Sequence, residues 1–468
     1  MLFAAAVKLA VAAAVLALAG TARAQPAAPP LKTLSLKAAL AYARDHQPSL
    51  AAARARVDVA REQAALPRAA WSPRIVAGAE LLVGTTNNTT TSYGGPLGFD
   101  VPRIGGTPAN ADPDYGPEPN TLVGVGVRQE LFDFGRLTAQ ADAADAFARA
   151  AADNAEVSAL DLDLYVAESF YAVVGAHAVL HAAEAAVTRA QAHRDYAQAR
   201  VDAKLLPPLE GTRADADLAR YQVEQIRAQG SLAAAQAVLA AAIGAPDAAI
   251  DTGADDVAYE AAPAASADAL QLAETRDPSV AAATDLLRGQ EHVTRAIAAE
   301  LHPELSLSAT VSGRAGGAAV ATNDTPTGGG WLPDVANWDA LVVISWPLFD
   351  RTVSVREETS RRLERVRAAE IDEARQRLHG AAAQTLTALQ VAVAALPALA
   401  RSVDAARANE AQAAARFSGG LATALEVADA EALLTDAEIQ LAVGQFQLAR
   451  ARARLARVLA EPLATRTP

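Results

Sequence analysis

The sequence contains no cysteine. This absence excludes disulfides, zinc-thiolate sites, thiol nucleophiles and a lipid-modified cysteine at a mature N-terminus. Aromatic residues make up only 4% of the chain although 51% of its residues are apolar, and alanine is the most frequent of them. Such a chain has little side-chain volume for a thick globular core. Its alanine-rich stretches are instead typical of long, closely packed helices.

Clustered positive charge is also missing. The formal net charge is -13, and no basic stripe is present, so we expect no nucleic-acid partner. Catalytic motifs such as G-x-S-x-G or a phosphate-binding glycine loop are absent. The best metal-like group is His177, His181 and Glu184, but no second group of ligands accompanies it. The sequence therefore predicts neither an enzyme nor a cofactor or metal site.

The start of the chain has the pattern of an export signal. Lys8 precedes an apolar run over 9–19, and small residues precede Gln25. This pattern predicts a secretory signal peptide over 1–24, followed by a linker over 25–34. No later segment has 18 uninterrupted, strongly apolar residues, so we expect no transmembrane helix in the mature protein.

The remaining chain is an internal repeat. Pro48-Ser-Leu matches Pro278-Ser-Val at a spacing of 230, and Leu131-Phe-Asp matches Leu348-Phe-Asp at 217. A third match, 200–210 with 416–426, has a spacing of 216. The spacing between matched segments changes by 13 residues once and then stays constant to within one residue, which indicates structural duplication. We predict repeats over 35–244 and 266–461, a linker over 245–265 and a tail over 462–468.

Four segments alternate apolar and polar residues with a period of two, which predicts strands at 74–84, 121–131, 304–313 and 339–348. Long polar loops join the strands of each pair, and tryptophans lie near strand ends: Trp71, Trp331, Trp338 and Trp346. These features favour outer-membrane strands, although two hairpins of a soluble sandwich would show the same alternation. Four strands cannot close a barrel, so two or three chains would have to contribute strands.

A very long helix follows each strand pair, over 137–204 and 353–417, with a kink expected near Pro397. Heptad spacing in both indicates coiled-coil packing. Return helices are predicted over 208–243 and 423–460. Thr423 and Glu426 have the spacing of a capping box at the start of the second return helix.

With these elements in this order, the chain resembles the TolC-type family of outer-membrane efflux and secretion channels. The residues that carry the resemblance are Pro48-Ser-Leu, Pro278-Ser-Val, Leu131 to Arg136, Pro347 to Asp350, and 416–429. The resemblance covers nearly all of the mature chain. It implies an α+β membrane protein in which a homotrimer forms a twelve-stranded outer-membrane barrel, with four strands from each chain. A periplasmic α-helical coiled-coil barrel continues from it.

The implied partners are outer-membrane lipid, a periplasmic adaptor and an inner-membrane pump of RND or ABC type. Substrate would pass through the tunnel without covalent chemistry, and the sequence does not identify it. The alternative is a periplasmic coiled-coil adaptor or structural protein without a pore.

The resemblance also assigns roles to the two turns that follow the long helices. Glu426 and Asp429 occupy the positions of an acidic ring at the periplasmic entrance, while helix capping and a solvated surface are their alternative roles. Phe417 and Ala422 stand where well-studied members have a gating Tyr and Arg, so Phe417 is a candidate gate contact but the family's lock cannot be transferred. The expected adaptor-docking tips are Lys204, Leu205, Pro207, Pro208, Ser418, Gly419, Gly420 and Leu421.

Overall fold

The computed structural model describes residues 33–85, 117–252, 273–316, 337–461 and 463. The predicted signal peptide, Trp331, most of both strand-joining loops, most of the linkers and nearly all of the tail lie outside these residues.

Each repeat contains a helix, two strands, a very long helix and a return helix. The first repeat consists of α1 (Leu36–His46), α2 (Pro48–Ala69), β1 (Arg74–Thr85), β2 (Pro117–Phe132), α3 (Arg136–Asp202) and α4 (Pro208–Ala242). In the second repeat, residues 273–276 are helical at the position equivalent to the end of α1. The second repeat consists of α5 (Pro278–Ala299), β3 (Glu304–Gly316), β4 (Asn337–Ser345), α6 (Arg351–Ser418) and α7 (Ala424–Val458).

The strands form one antiparallel sheet in the order β1-β2-β3-β4. The two repeats meet in its centre, where Val125 of β2 lies opposite Val311 of β3. The fourth strand was predicted to reach residue 348, but it ends at Ser345. Pro347 has no backbone N–H with which to extend the ladder. Within the described chain, β1 and β4 are the edge strands of an open sheet.

The sheet exposes its apolar side. Ser306, Ser308, Thr310 and Ser312 of β3 are buried, whereas the alternating Val311 is 53% exposed. Val342 and Ile344 of β4 are 60% and 72% exposed, and Trp338 and Trp346 are also exposed. An antiparallel sheet in a water-soluble protein normally shows the opposite arrangement. The sheet therefore has an apolar surface that no other part of the described chain covers.

The repeated Leu-Phe-Asp motif positions the long helices relative to the sheet. Asp133 is buried and accepts hydrogen bonds from the backbone N–H groups of Gly135 (3.1 Å) and Leu137 (2.7 Å). Asp350 accepts one from the N–H of Thr352 at 2.7 Å. Each aspartate satisfies backbone donors that a helix start leaves without partners. The duplicated aspartates therefore stabilise the starts of α3 and α6.

The long helices contain 67 and 68 residues, and each would extend about 100 Å at 1.5 Å per residue. The second continues through Pro397 without interruption. Both contain an 18-residue window apolar enough to cross a membrane by length and composition, with mean hydropathies of 1.4 and 1.5. These windows are rich in alanine and contain no unbroken run of 18 strongly apolar residues, which is why the sequence did not predict them. Each helix is about three times longer than a membrane span.

Among the described residues, the largest hydrophobic core surrounds the middle of α3. Phe170, Val166 and Val173 are fully buried there and belong to one cluster with Leu40 of α1 and Leu239 of α4. Beyond this core, α3 pairs with α4, and α6 pairs with α7. We call these pairs the first hairpin (α3 and α4) and the second hairpin (α6 and α7). They pack against each other mainly through α3 and α7.

Candidate functional site: the paired hairpin turns

The two long helices end in the same backbone geometry. Lys204 and Gly420 adopt positive φ angles of 59° and 72°. The following N–H groups, of Leu205 and Leu421, each donate to a carbonyl five residues earlier at 2.8 Å. This is the Schellman arrangement, which satisfies the last carbonyls of a helix. A glycine adopts the required conformation without steric cost, whereas the lysine does so under strain.

The return helices start differently. Thr423 and Glu426 form the expected capping box, with the side chain of each bonded to the backbone N–H of the other at 3.3 Å. In the first hairpin Pro207 occupies the N-cap position and makes no side-chain cap hydrogen bond. Pro208 then begins the helix, where a missing N–H costs little. The second turn is thus fixed by side-chain hydrogen bonds, and the first by proline geometry.

The two turns lie side by side. The Tyr196 hydroxyl donates to the backbone carbonyl of Ser418 at 3.4 Å. Phe417 is buried in a cluster with Ala424 and Val427, against which Leu206 of the first turn packs. Its ring also meets the rings of Tyr196 and His193 edge-on, with centroids 5.5 and 5.3 Å apart. Phe417, the candidate gate residue, therefore connects the two hairpins of one chain.

All eight residues expected at the docking tips are exposed: Lys204, Leu205, Pro207, Pro208, Ser418, Gly419, Gly420 and Leu421. Two leucine pairs repeat at the spacing of 216, namely Leu205 with Leu421 and Leu209 with Leu425. Their exposed fractions lie between 56% and 74%. Exposed leucines grouped at one end of a molecule are typical of a protein interaction surface.

The two predicted ring carboxylates lie on the exposed side of the second turn. Glu426 combines its capping role with an ion pair to Arg416 at 3.7 Å, and its side chain remains 47% exposed. Asp429, one turn later, is exposed. The capping alternative therefore holds for Glu426, and it leaves the carboxylate accessible.

Sequence reasoning missed two titratable residues behind the turns. Burial lowers the pKa of His193 below its usual value. Burial, and then the nearby Glu410, raise the pKa of Glu431 to about 7. A usable signal existed for Glu431, because Ala424, Val427, Glu431 and Leu434 follow the 3-4-3 spacing of a coiled-coil core. For His193 the contact with Phe417 spans 224 residues, so no local pattern could indicate it.

His177, one member of the group considered as a metal site, has another structural role. His177 Nε2 lies 2.6 Å from Asp251 Oδ1, which follows the first hairpin. Burial alone would raise the pKa of Asp251, but hydrogen bonds from His177, Thr252 and Gln236 lower it below the usual value. Among the described residues, no group of three or more His, Asp or Glu side chains could hold a metal ion.

Comparisons with known proteins agree with this architecture. The family model "Outer membrane efflux protein" matches residues 39–245 and 269–461. A crystal structure of a Pseudomonas aeruginosa membrane protein is 20% identical with a TM-score of 0.74, over 94% of this chain and 93% of the other. The Vibrio cholerae outer membrane protein VceC is 20% identical with a TM-score of 0.70, over 91% and 96%. The Neisseria gonorrhoeae outer membrane channel MtrE, solved in its open state, is 20% identical with a TM-score of 0.71, over 92% and 89%. A search of curated proteins gives no match.

The small antiparallel sheet and the two long helical hairpins share the α+β fold of the TolC-type proteins VceC and MtrE. Because the family model matches well over half of its length, the chain belongs to the outer membrane efflux protein family. It is an outer-membrane efflux channel, and its family is one of channels rather than enzymes. The family match therefore does not support the alternative, a periplasmic coiled-coil adaptor or structural protein without a pore.

Proposed function

We propose that three copies of this chain form the outer-membrane exit duct of a tripartite efflux or type I secretion system. The observation that carries the proposal is the sheet with an exposed apolar side and two open edges. Four strands cannot close, whereas strands from several chains can form a closed barrel whose apolar side faces lipid. Three chains would give twelve strands and space for an aqueous lumen.

Export by a cleaved signal peptide and the absence of a lipid anchor belong to the same proposal. Fractionation of cells tests it together with the assembly. We expect recovery from outer membranes only after detergent extraction, as a species with the mass of three chains lacking residues 1–24. A soluble monomer in the periplasmic fraction would contradict the proposal.

The paired hairpin turns would form the periplasmic end, where an adaptor docks and connects the channel to an inner-membrane pump of RND or ABC type. The repeated exposed leucines support this role. A photo-crosslinking amino acid at Leu421 or Leu205 should, in cells, give a product that mass spectrometry identifies as a periplasmic adaptor. Leu433 is a matched control, because it is 59% exposed on α7 but lies three turns beyond the turn. Equal crosslinking from Leu433 would argue against docking at the tips.

The exposed carboxylates of Glu426 and Asp429 would form a ring of six in a trimer, and such a ring attracts cations. The double variant Glu426→Gln/Asp429→Asn removes the charges, while the amide introduced at position 426 can still complete the capping box. We expect its single-channel cation preference, and its block by multivalent cations, to fall severalfold, with an unchanged trimer yield. Asp436→Asn, which neutralises another exposed carboxylate of α7, is the control. Unchanged selectivity in the double variant would leave both residues with structural roles only.

A further inference from the structure

A carboxyl group is buried between the two hairpins, close to their turns. Glu431 is 4% exposed and lies on α7, the helix through which the second hairpin packs against α3. Its neighbours on the same buried face are apolar, Val427 and Leu434. A carboxyl group at a coiled-coil core position normally destabilises the interface unless it is neutral or closely paired.

The charged groups around Glu431 come from every helix at this level and do not neutralise it. Arg189 of α3 is the cation that favours an ionised Glu431, but its Nη2 donates to the Thr435 hydroxyl at 3.1 Å and pairs with Glu438 at 3.4 Å. Its buried Nε has no hydrogen-bond partner among the described residues. The other charged groups that act on Glu431 are Arg220 and Asp217 of α4 and Glu410 of α6. Arg407 of α6 also pairs with Glu438, at 3.6 Å. With Glu431 ionised, four carboxylates would therefore face three guanidinium groups in this part of the interface.

A second polar group at this interface is also poorly satisfied. Tyr221 of α4 is 3% exposed and packs against Ala186 and Ala190 of α3. Its buried hydroxyl has no hydrogen-bond partner among the described residues. The interface therefore already contains an unsatisfied polar group, and a charge on Glu431 would add a larger desolvation cost to it.

We propose that Glu431 is a proton-dependent latch between the hairpins: in its protonated form α7 remains packed against α3 and α4, and ionisation loosens that contact near the turns. The proposal depends on the proposed function only in placing these turns at the channel entrance. Loosening would then widen the entrance as pH rises.

The direction of the pH dependence follows from the environment of Glu431. Burial raises the pKa of this residue from 4.5 to about 7 in the packed state, whereas a loosened interface would expose the carboxyl and restore its ordinary pKa. The packed state therefore binds the proton more tightly. Packing is strongest below about pH 4.5, weakens between about pH 4.5 and 7, and changes little above that range.

Fluorescence quenching can follow this contact in the full-length protein. The chain has no cysteine, so Ser418→Cys accepts a single bimane label. Tyr196→Trp places a quencher on the first hairpin, where the native hydroxyl lies 3.4 Å from the carbonyl of Ser418. Quenching is the ratio of emission without and with the tryptophan, measured between about pH 4.5 and 8.5 to span the transition. We expect quenching to fall at least about twofold up to about pH 7 and then to level off.

In the same background, Glu431→Gln should stay quenched at every pH, because a neutral amide replaces the carboxyl group. Asp436→Asn, which removes an exposed carboxylate of the same helix, should follow the unmodified protein. If Glu431→Gln folds poorly, Asp217→Asn provides a second test, since removing a like charge should reduce the fall in quenching. Quenching that is independent of pH, or an undiminished fall in both Glu431→Gln and Asp217→Asn, would overturn the latch.

Planar-bilayer recordings of the same preparations separate this proposal from the channel itself. Ionic current at every pH, with quenching that does not respond to pH, would overturn the latch and leave the channel function intact. Quenching that follows the predicted pH dependence, without current at any pH, would support the latch and contradict the pore.

Discussion

The two hairpin turns share a backbone but differ in the residues that stabilise it. Both end a long helix with the same Schellman hydrogen bonds. The second turn has glycine at the positive-φ position, a capping box and a buried phenylalanine. The first has a strained lysine, two prolines and, at the position equivalent to Phe417, the half-buried Val201. Duplication has therefore preserved the geometry of the turn while its stabilising side chains diverged.

This difference indicates that the two turns do not have equal freedom to move. The second turn contributes Phe417 to the contact between the hairpins, so its position depends on a packed aromatic cluster. The first turn meets that cluster with the partly buried Leu206 and with Tyr196. Substitutions at equivalent positions of the two turns should accordingly have unequal effects.

The largest difference is expected between Phe417→Ala and Val201→Ala. Truncating a buried phenylalanine typically costs about 3 kcal/mol or more, because apolar contacts are lost and a cavity remains. At a hairpin end this cost should appear as local opening. Hydrogen exchange should show protection of the amides near 193–196 and 417–427 falling by roughly two orders of magnitude.

Val201→Ala should change the same protection less than about fivefold, since a half-buried valine loses little on truncation. Phe417→Leu, which keeps most of the apolar volume, is the control for the aromatic contact. Equal losses in Phe417→Ala and Val201→Ala would show that the aromatic cluster does not distinguish the two turns.

A smaller difference is expected at the starts of the long helices. Asp133→Ala should destabilise the start of α3 by about 1 to 2 kcal/mol, because the buried carboxylate caps two backbone N–H groups. Asp350→Ala should cost less, since Asp350 is more exposed. Hydrogen exchange at residues 135–139 and 352–356 measures the two losses of stability. As a control, Asp133→Asn keeps a capping oxygen and should retain most of the protection at 135–139. A larger effect at Asp350 would contradict this ranking.

The cap at Asp350 should also respond to pH. Hydrogen bonds from the hydroxyl and N–H of Thr352 lower the pKa of Asp350 below its ordinary value of 3.8. A carboxyl group with a lowered pKa contributes stability above the ordinary value and loses that contribution as pH falls through the lowered one. The difference between the native protein and Asp350→Asn should therefore shrink in acid, below about pH 4, and acid titration of both proteins followed by hydrogen exchange at 352–356 measures it.

The sequence predicted the repeats, the four strands and the two turns because each leaves a local pattern: period-two alternation, heptads, a capping box and duplicated motifs. It could not assign a function to the aspartates of the Leu-Phe-Asp motif, whose capping role depends on backbone geometry. The contact of Phe417 with His193 and Tyr196 was also out of reach, since it joins hairpins more than 200 residues apart. Glu431 was detectable from its heptad position, but a heptad does not reveal which charges lie opposite.

The smallest expected effects concern the positive-φ positions themselves. Lys204→Gly should stabilise the first turn by roughly 1 kcal/mol, since glycine adopts this conformation without the strain that a lysine bears. Gly420→Ala should destabilise the second turn by about the same amount. The amides of Leu205 and Leu421, which donate the Schellman hydrogen bonds, report each change by hydrogen exchange, with protection rising or falling about fivefold. Reduced protection at Leu205 in Lys204→Gly would mean that the lysine side chain, and not only the backbone, stabilises the first turn. The two turns would then differ in chemistry as well as in strain.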